Sequence, residues 1–324
     1  MNFSILGLLA VTAYFAACIA YVYRWRGQRR YDSFTQYLRK SWPVFAPLNC
    51  LMYMTTRAHA RQPVIEAGYL RNIQLLRDHW QVMRDEALAL EAAGAFEAAK
   101  AEGSAGYYDV GFRTFYKRGW SKFYLTWYGT THRSAQRLCP RTTALLAQVP
   151  QIRGAMFSIL PAGAELSLHA DPMACSLRYH LGLQTPNDPA CRIQVDAVDC
   201  TWTDGRDFIF DETYPHTAHN GTDRPRLILM CDVDRPMNAL GRLIHAAYRV
   251  IASGTVVPNT AEDRRGLYSA LFARLAPLRE RSMKMKAERR RTYKTLKFVL
   301  NSSLLSAMMG MIFAVLQVLE AITA

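Results

Sequence analysis

No C-x-x-C pair occurs among the seven cysteines of this 324-residue chain, and their number is odd. A disulfide framework and a zinc knuckle are therefore both disfavoured, and the thiols suit a reducing compartment. No internal repeat is visible, so no repeat architecture is indicated. Glycine and proline are sparse, at 18 and 14 residues, while 50% of residues are hydrophobic, which excludes collagen-like and disordered classes. The most informative absence is of charge: no Lys, Arg, Asp or Glu lies between Phe3 and Tyr23 or between Phe298 and Leu319.

Charge that is present sits beside those gaps. The net charge is +14, yet residues 24–40 carry six basic groups and one acidic, and residues 279–297 carry nine and two. A nucleic-acid binder carries its basic footprint on the folded domain, so this placement points to membrane topology and away from nucleic acid. Phe3–Tyr23 would make a helix of about 31 Å, close to the ~30 Å hydrocarbon layer. Arg24, Arg26, Arg29 and Arg30 follow the first stretch, and Arg289, Arg290, Arg291, Lys294 and Lys297 precede the second. The positive-inside rule then places the intervening chain in the cytoplasm and both termini outside. A cleaved signal peptide is the alternative for the first stretch, but it would need basic residues before Arg24, and there are none. Ser302, Ser306, Gly310 and Ala314 give small-xxx-small spacing, for which chance is the competing explanation.

Between these anchors, Ser41–Thr56 is apolar but short and broken by Pro43 and Pro47. It reads as an interfacial or re-entrant segment, or as a buried loop. Leu70, Ile73, Leu76, Trp80, Met83, Ala87 and Leu90 recur at helical spacing, with Gly94 as the stop and a flexible loop expected up to Gly106. The aromatic-rich stretch 107–128 predicts strands or an irregular hairpin, its rings serving either the core or an acyl-chain platform. From Ile152 to Val233, short strands alternate with turns, the pattern of a jelly roll. The expected organisation is an anchor at 1–23, a juxtamembrane and helical region at 24–106, a mainly β catalytic domain (a double-stranded β-helix, or jelly roll) at 107–236, a basic helical region at 237–297 and a second transmembrane helix at 298–319.

His169 and Asp171, two residues apart at the end of a predicted strand, would project to the same face. His216, after the strand Phe208-Ile209-Phe210, is the candidate third ligand. Two histidines and a carboxylate on one face are the arrangement of non-haem Fe(II) oxygenases; a surface His-Asp pair with an unrelated core histidine would give the same residues. Arg226 opens the apolar strand Leu227-Ile228-Leu229-Met230, where an unpaired guanidinium would be costly. The distal carboxylate of 2-oxoglutarate is a bidentate partner for it. Alternation on 177–184 puts Arg178 and His180 on one face and Leu177, Tyr179, Leu181 and Leu183 on the other, implying an anion inside the barrel. Ser158 could add a hydroxyl donor, or simply bond to backbone.

Taken in order, Cys139-Pro140-Arg141-Thr142, Met156 to Gly163, His169, Leu177 to Leu183, Phe210-Asp211-Glu212, His216, Asn220 and Arg226 resemble the aspartyl/asparaginyl β-hydroxylase family of Fe(II)/2-oxoglutarate dioxygenases. That resemblance implies His169 and His216 as iron ligands and Ser158, Arg178, His180 and Arg226 as 2-oxoglutarate contacts. Some peptide-hydroxylating members lack a carboxylate where this chain has Asp171, so here the set approaches the ordinary facial triad. Outside the core, Ala46 to Cys50, Asp109 to Phe112, Arg118-Gly119-Trp120, Phe123 to Leu125, Trp127 to Gly129 and the two anchors resemble the membrane-bound, lipid-hydroxylating branch of the family. This implies O₂-dependent hydroxylation at C2 of a secondary acyl chain of lipid A, on the cytoplasmic face of a bacterial inner membrane. A tethered peptide hydroxylase and a non-enzymatic metal-binding scaffold are the alternatives. No obligate protein partner is inferred.

Overall fold

The computed structural model describes residues 3–112 and 119–323; Arg118 and its neighbours from 113 onward lie outside the described residues. The chain divides into two compact units, residues 22–273 and the two terminal segments up to 21 and from 274. The larger unit holds all the strands: β1 (Val64–Ile65), β2 (Ser121–Trp127), β3 (Thr130–Thr131), β4 (Ile152–Leu160), β5 (Glu165–His169), β6 (Ser176–Gln184), β7 (Cys191–Val195), β8 (Val198–Thr201), β9 (Asp207–Phe210), β10 (His216–Asn220) and β11 (Arg226–Asp234). They form two sheets, ordered β1-β9-β6-β11-β4-β2-β3 and β5-β10-β7-β8, with antiparallel pairing at every neighbouring pair. The eight strands β4 to β11 are shared between two facing sheets, the plan of a jelly roll.

Strand alternation sorts the large sheet into two chemically different faces. Leu227, Leu229, Cys231 and Val233 of β11 join Tyr179 and Leu181 of β6 in one cluster with Leu76, Met83 and Leu90. Those last three come from the covering helices α4 (Ile73–Asp78) and α5 (Trp80–Ala92). On the opposite face Ile228, Met230 and Met156 cluster with Ile193, Val195 and Ala218 of the small sheet. Polar residues on this inward face, Arg226 and Asp232 of β11 and Arg178 and His180 of β6, are buried between the sheets. There a charge needs a partner.

The remaining helices are α1 (Phe3–Arg24), α2 (Phe34–Lys40), α3 (Ala46–Thr55), α6 (Ala95–Lys100), α7 (Arg133–Leu138), α8 (Pro140–Ala147), α9 (Ala239–Ser253), α10 (Leu267–Glu288) and α11 (Arg290–Thr323). The periodic stretch from Leu70 is two helices, because His79 leaves helical dihedrals at φ −115°, ψ 22°. The expected loop after Gly94 instead contains α6. Its Ala-rich sequence favours helix, and Phe96 fixes it edge-on to Phe123 of β2, with ring centroids 6.3 Å apart. Ser41–Thr56 is a 3-10 turn followed by α3 rather than a loop, with Asn49, Cys50 and Met52 buried and Trp42, Val44 and Met54 exposed.

Arg26, counted above among the topology charges, is a buried structural residue. Its Nη2 donates to Asp211 Oδ2 at 2.8 Å, and its guanidinium lies 3.9 Å and 3.6 Å from the ring centroids of Tyr53 and Tyr214. The next residue must turn sharply. Gly27 has φ +72°, and a Cβ there would come within 2.7 Å of Asp196 Oδ1. The turn lets the Gln28 and Arg29 amides donate to the Asp196 carboxylate at 2.7 and 2.6 Å.

Among the described residues, two helices are long and apolar enough to cross a membrane, over Ile5–Arg24 and Arg290–Val315. The second begins earlier than Phe298, as α11 runs unbroken from the basic block into the apolar stretch. A Cβ built at Gly310 would meet nothing within 4 Å among the described residues.

Candidate active site

β5 ends at His169 and β10 begins at His216, and the two pair in register. Their ring centroids are 4.2 Å apart. Asp171 lies beyond the strand, so alternation does not aim it as expected. Instead the Ala170 amide donates to the Lys40 carbonyl at 3.0 Å and the Asp171 amide to the Glu212 carbonyl at 2.8 Å. One donor atom from each of His169, Asp171 and His216 lies within 4.8 Å of the others. His169 Nε2 is 3.7 Å from Asp171 Oδ1.

The second layer sets the chemistry of these groups. Nδ1 of His169 is 2.9 Å from the Ser167 carbonyl, and Nδ1 of His216 is 2.9 Å from that of Tyr214. A carbonyl can only accept, so each Nδ1 carries the proton and each Nε2 lone pair is presented. Burial, then the neighbouring His169, brings the His216 imidazolium down to about 4. Loss of water would raise Asp171, but His169, His216 and Arg178 hold it below the usual carboxylate range. A neutral imidazole and an ionised carboxylate are the ligating forms, and an N₂O donor set on one side fits a divalent iron with open positions opposite.

Behind Asp171, Arg178 is enclosed by acids. Its Nε donates to Glu212 Oε2 at 2.6 Å, and its Nη2 contacts the same oxygen. Nη1 lies 3.0 Å from Asp232 Oδ1, and Nη2 lies 3.4 Å from Asp171 Oδ2. Arg178, expected to face an anion inside the barrel, thus has three of the chain's own carboxylates around it. Burial, with the Asp171 and Asp232 charges acting against the Arg178 cation, pushes Glu212 up to about 8.

Arg226 is the opposite case. It is fully buried, and its guanidinium carbon lies 4.3 Å from the Trp202 ring centroid and 5.3 Å from that of Trp120. Its Nε and Nη2 have no hydrogen-bond partner among the described residues. Burial brings its pKa down to about 9. His180 lies nearby on the same inward face. Trp202 Nε1 donates to its Nδ1 at 3.1 Å, so Nε2 carries the hydrogen, and this buried donor is also unused. Burial and the Arg226 and Arg178 charges hold His180 far below its ordinary pKa, hence neutral. Ser158 pairs with Ile228 in the β4–β11 register, and its buried hydroxyl is unused as well. Three inward-facing side chains on adjacent strands thus carry buried donors with no partner among the described residues, and a buried donor left unpaired is costly. They fit a carboxylate.

Sequence reasoning missed Glu212 and Asp232 as the partners of Arg178, and Trp120 and Trp202 as the walls around Arg226. The acidic pair just before His216 was a visible signal for Glu212. Nothing local marks Asp232, which meets Arg178 only through the β6–β11 register.

Residues 77–236 match the family model described as Aspartyl/Asparaginyl beta-hydroxylase. An ornithine lipid ester-linked acyl 2-hydroxylase of Rhizobium tropici is 36% identical over 135 residues, covering 41% of this chain and 48% of that protein. The Homo sapiens aspartyl/asparaginyl beta-hydroxylase is 32% identical over 178 residues, covering 53% of this chain and 22% of that protein. The chain thus spans less than half the length of these relatives. Among solved structures, a Pseudomonas putida prolyl-4-hydroxylase aligns at 20% identity and a TM-score of 0.31, covering 49% of this chain and 87% of that one; so low a score carries no argument. With the jelly roll, the His-Asp-His cluster and the sequence match all falling on the same segment, residues 77–236 belong to the aspartyl/asparaginyl β-hydroxylase family.

Proposed function

We propose that the chain is a membrane-anchored, Fe(II)/2-oxoglutarate-dependent hydroxylase that acts at C2 of a fatty acyl chain of lipid A or a related membrane lipid. The observation that carries this is the set of unused buried donors on Arg226, His180 and Ser158, beside the His169, Asp171 and His216 cluster. His169, Asp171 and His216 would hold the iron. Arg226 would bind the distal carboxylate of 2-oxoglutarate, with His180 Nε2–H and the Ser158 hydroxyl as further donors. When bound, iron and 2-oxoglutarate supply with O₂ the oxidising power that converts a C–H to a C–OH while the cosubstrate is lost as succinate and CO₂. The protein's part is to bind, orient and exclude water. Arg178, engaged by Glu212, Asp232 and Asp171, would orient the Asp171 ligand rather than touch the cosubstrate.

An acyl substrate is favoured by the relative that hydroxylates an ester-linked acyl chain and by two span-length helices flanking the domain in sequence. The charge distribution favours a catalytic domain in the cytoplasm of a bacterial inner-membrane protein, with both termini outside. The second reading, hydroxylation of peptide Asp or Asn side chains, draws on the human relative. A purely structural metal scaffold would leave Arg226 without an anion.

Purified protein supplied with lipid A, Fe(II), 2-oxoglutarate and O₂ should form succinate and a 2-hydroxyacyl product. His169→Ala and His216→Ala should each abolish both. Peptide hydroxylation without a lipid product would exchange the two readings, and undiminished turnover in both histidine variants would remove the iron assignment. Activity of a periplasm-only reporter inserted after Gly103 would overturn the topology.

A further inference from the structure

Two surface segments of the larger unit contain no acidic residue, 33–65 and 235–261. The fold brings them together. The Arg57 amide donates to the Pro236 carbonyl and the Asn238 amide to that of Thr55, both at 2.9 Å. Met52 of α3 and Met237, just before α9, share a small core with Ala174 and Cys175. This module also grips the loop that follows Asp171: Asn49 Nδ2 donates to the Pro172 carbonyl at 2.9 Å, and the Ala174 amide donates to Asn49 Oδ1 at 2.8 Å.

The outer side of the module is apolar where a soluble domain would be polar. On α9, Gly241, His245 and Ala252 are buried, while Leu243, Val250 and Ile251 are 70%, 74% and 56% exposed. Met54 of α3 is 62% exposed, and Trp42 and Val44 just before it are 46% and 55% exposed. Arg39, Arg57, Arg242 and Arg249 are exposed among them. A helix with exposed Leu, Val and Ile on one side, arginines beside them and no acid is built for the plane of a lipid surface. Basic groups near an anionic leaflet add electrostatic attraction to the apolar contact.

We infer that the α3–α9 module is a membrane-docking face that inserts Leu243, Val250 and Met54 among the headgroups of an anionic bilayer. It deepens the lipid-hydroxylase reading and rests on it only for the purpose of the docking, which is to hold the 170–174 loop, and with it Asp171, at the surface where acyl chains emerge. The occupant is set by charge complementarity: two segments without an acid and with four exposed arginines suit phosphatidylglycerol or another anionic lipid.

The test uses the full chain, with Cys200→Ser to silence the half-exposed native thiol, the other cysteines being buried. Nitroxide labels are placed by Leu243→Cys, Val250→Cys or Asp223→Cys, the last at an exposed site on the β10–β11 turn. In nanodiscs of phosphatidylcholine with phosphatidylglycerol, labels at 243 and 250 should collide with O₂ far more than with a water-soluble nickel reagent. The label at 223 should show the reverse. Moving to pure phosphatidylcholine should weaken the membrane signature at 243 and 250 severalfold. Water accessibility at 243 and 250 equal to that at 223 would overturn the proposal. So would spin–spin broadening relieved by unlabelled protein, which means a second copy, or exclusion of both reagents, which means cover by the chain's own helices. The depth readout needs no substrate, so it stands or falls apart from the lipid-substrate reading. Leu243→Glu with Val250→Glu should then lower turnover of bilayer-embedded lipid at least tenfold, while turnover of detergent-dispersed lipid stays within twofold.

Discussion

Arg178 and Arg226 occupy neighbouring strands of one sheet, face the same interior and are both buried, yet they sit in opposite surroundings. Arg178 is ringed by Glu212, Asp232 and Asp171. Arg226 has two indole faces and, among the described residues, no carboxylate partner. Burying a cation costs free energy in either place. Where the chain supplies carboxyl partners, the ionised Asp171 among them, the cation becomes part of the architecture, and removing it strands them. Where the chain withholds it, the site remains incomplete until an anion arrives. A buried arginine is therefore no proof of an anionic ligand; the partners it lacks are what matter.

The sharpest way to break this contrast is to delete each guanidinium in turn. Arg178→Ala leaves Glu212 and Asp232 buried without their cation, and should lower stability by about 3–5 kcal/mol, read as a fall in the unfolding midpoint of the metal-free protein. Arg226→Ala should leave that midpoint unchanged or raise it. Its loss should appear in the apparent KM for 2-oxoglutarate, by tenfold or more, from the ~1.5–3 kcal/mol of a hydrogen bond to a charged group. A large stability loss in Arg226→Ala with normal cosubstrate affinity would collapse the distinction. Arg226→Lys keeps the charge but not the fork, and should raise the same KM by about tenfold.

The smallest effect concerns pH. His216 is depressed to about 4, so its contribution to stability is present above the ordinary histidine value and is lost as pH falls from 6.5 towards 4. Glu212 is raised to about 8, so its contribution is full below its ordinary value and is lost as pH rises from 4.5 through 8. Between pH 5.5 and 6.5 the two slopes oppose, and the unfolding midpoint in chelator should be nearly flat. Glu212→Gln removes one of them. It should expose a loss of about 1 kcal/mol on going from pH 6.5 to 5.5. A variant profile as flat as the parent would show that His216 is not held neutral.

Much of the large sheet was legible because it is covered on both faces, so β4, β6 and β11 read as apolar runs with polar residues at fixed parity. β10 was not. His-Thr-Ala-His-Asn has no hydrophobic alternation, and it becomes a strand because β5 and β7 flank it on either side. β8, Val-Asp-Cys-Thr, is an edge strand of the small sheet and was missed for a related reason. The site followed the same rule. His169, His216 and Arg226 were visible as residue types at strand ends, whereas Asp171 acquires its position from the hydrogen bond its amide donates to the Glu212 carbonyl, in a segment distant in sequence.

By itself the sequence determined where the chain is apolar enough to span a membrane, which strands are buried on both sides and which residue types can hold a metal. These depend on composition and period, and a linear pattern carries both. Only the tertiary structure decided which charges are already neutralised. Arg178 and Glu212 are 34 residues apart, Arg26 and Asp211 are 185 apart, and the aromatic surroundings of Arg226 come from two tryptophans, one in the β8–β9 turn and one just before β2. Pairing energy falls off over a few ångströms, and separation along the chain gives no measure of that distance.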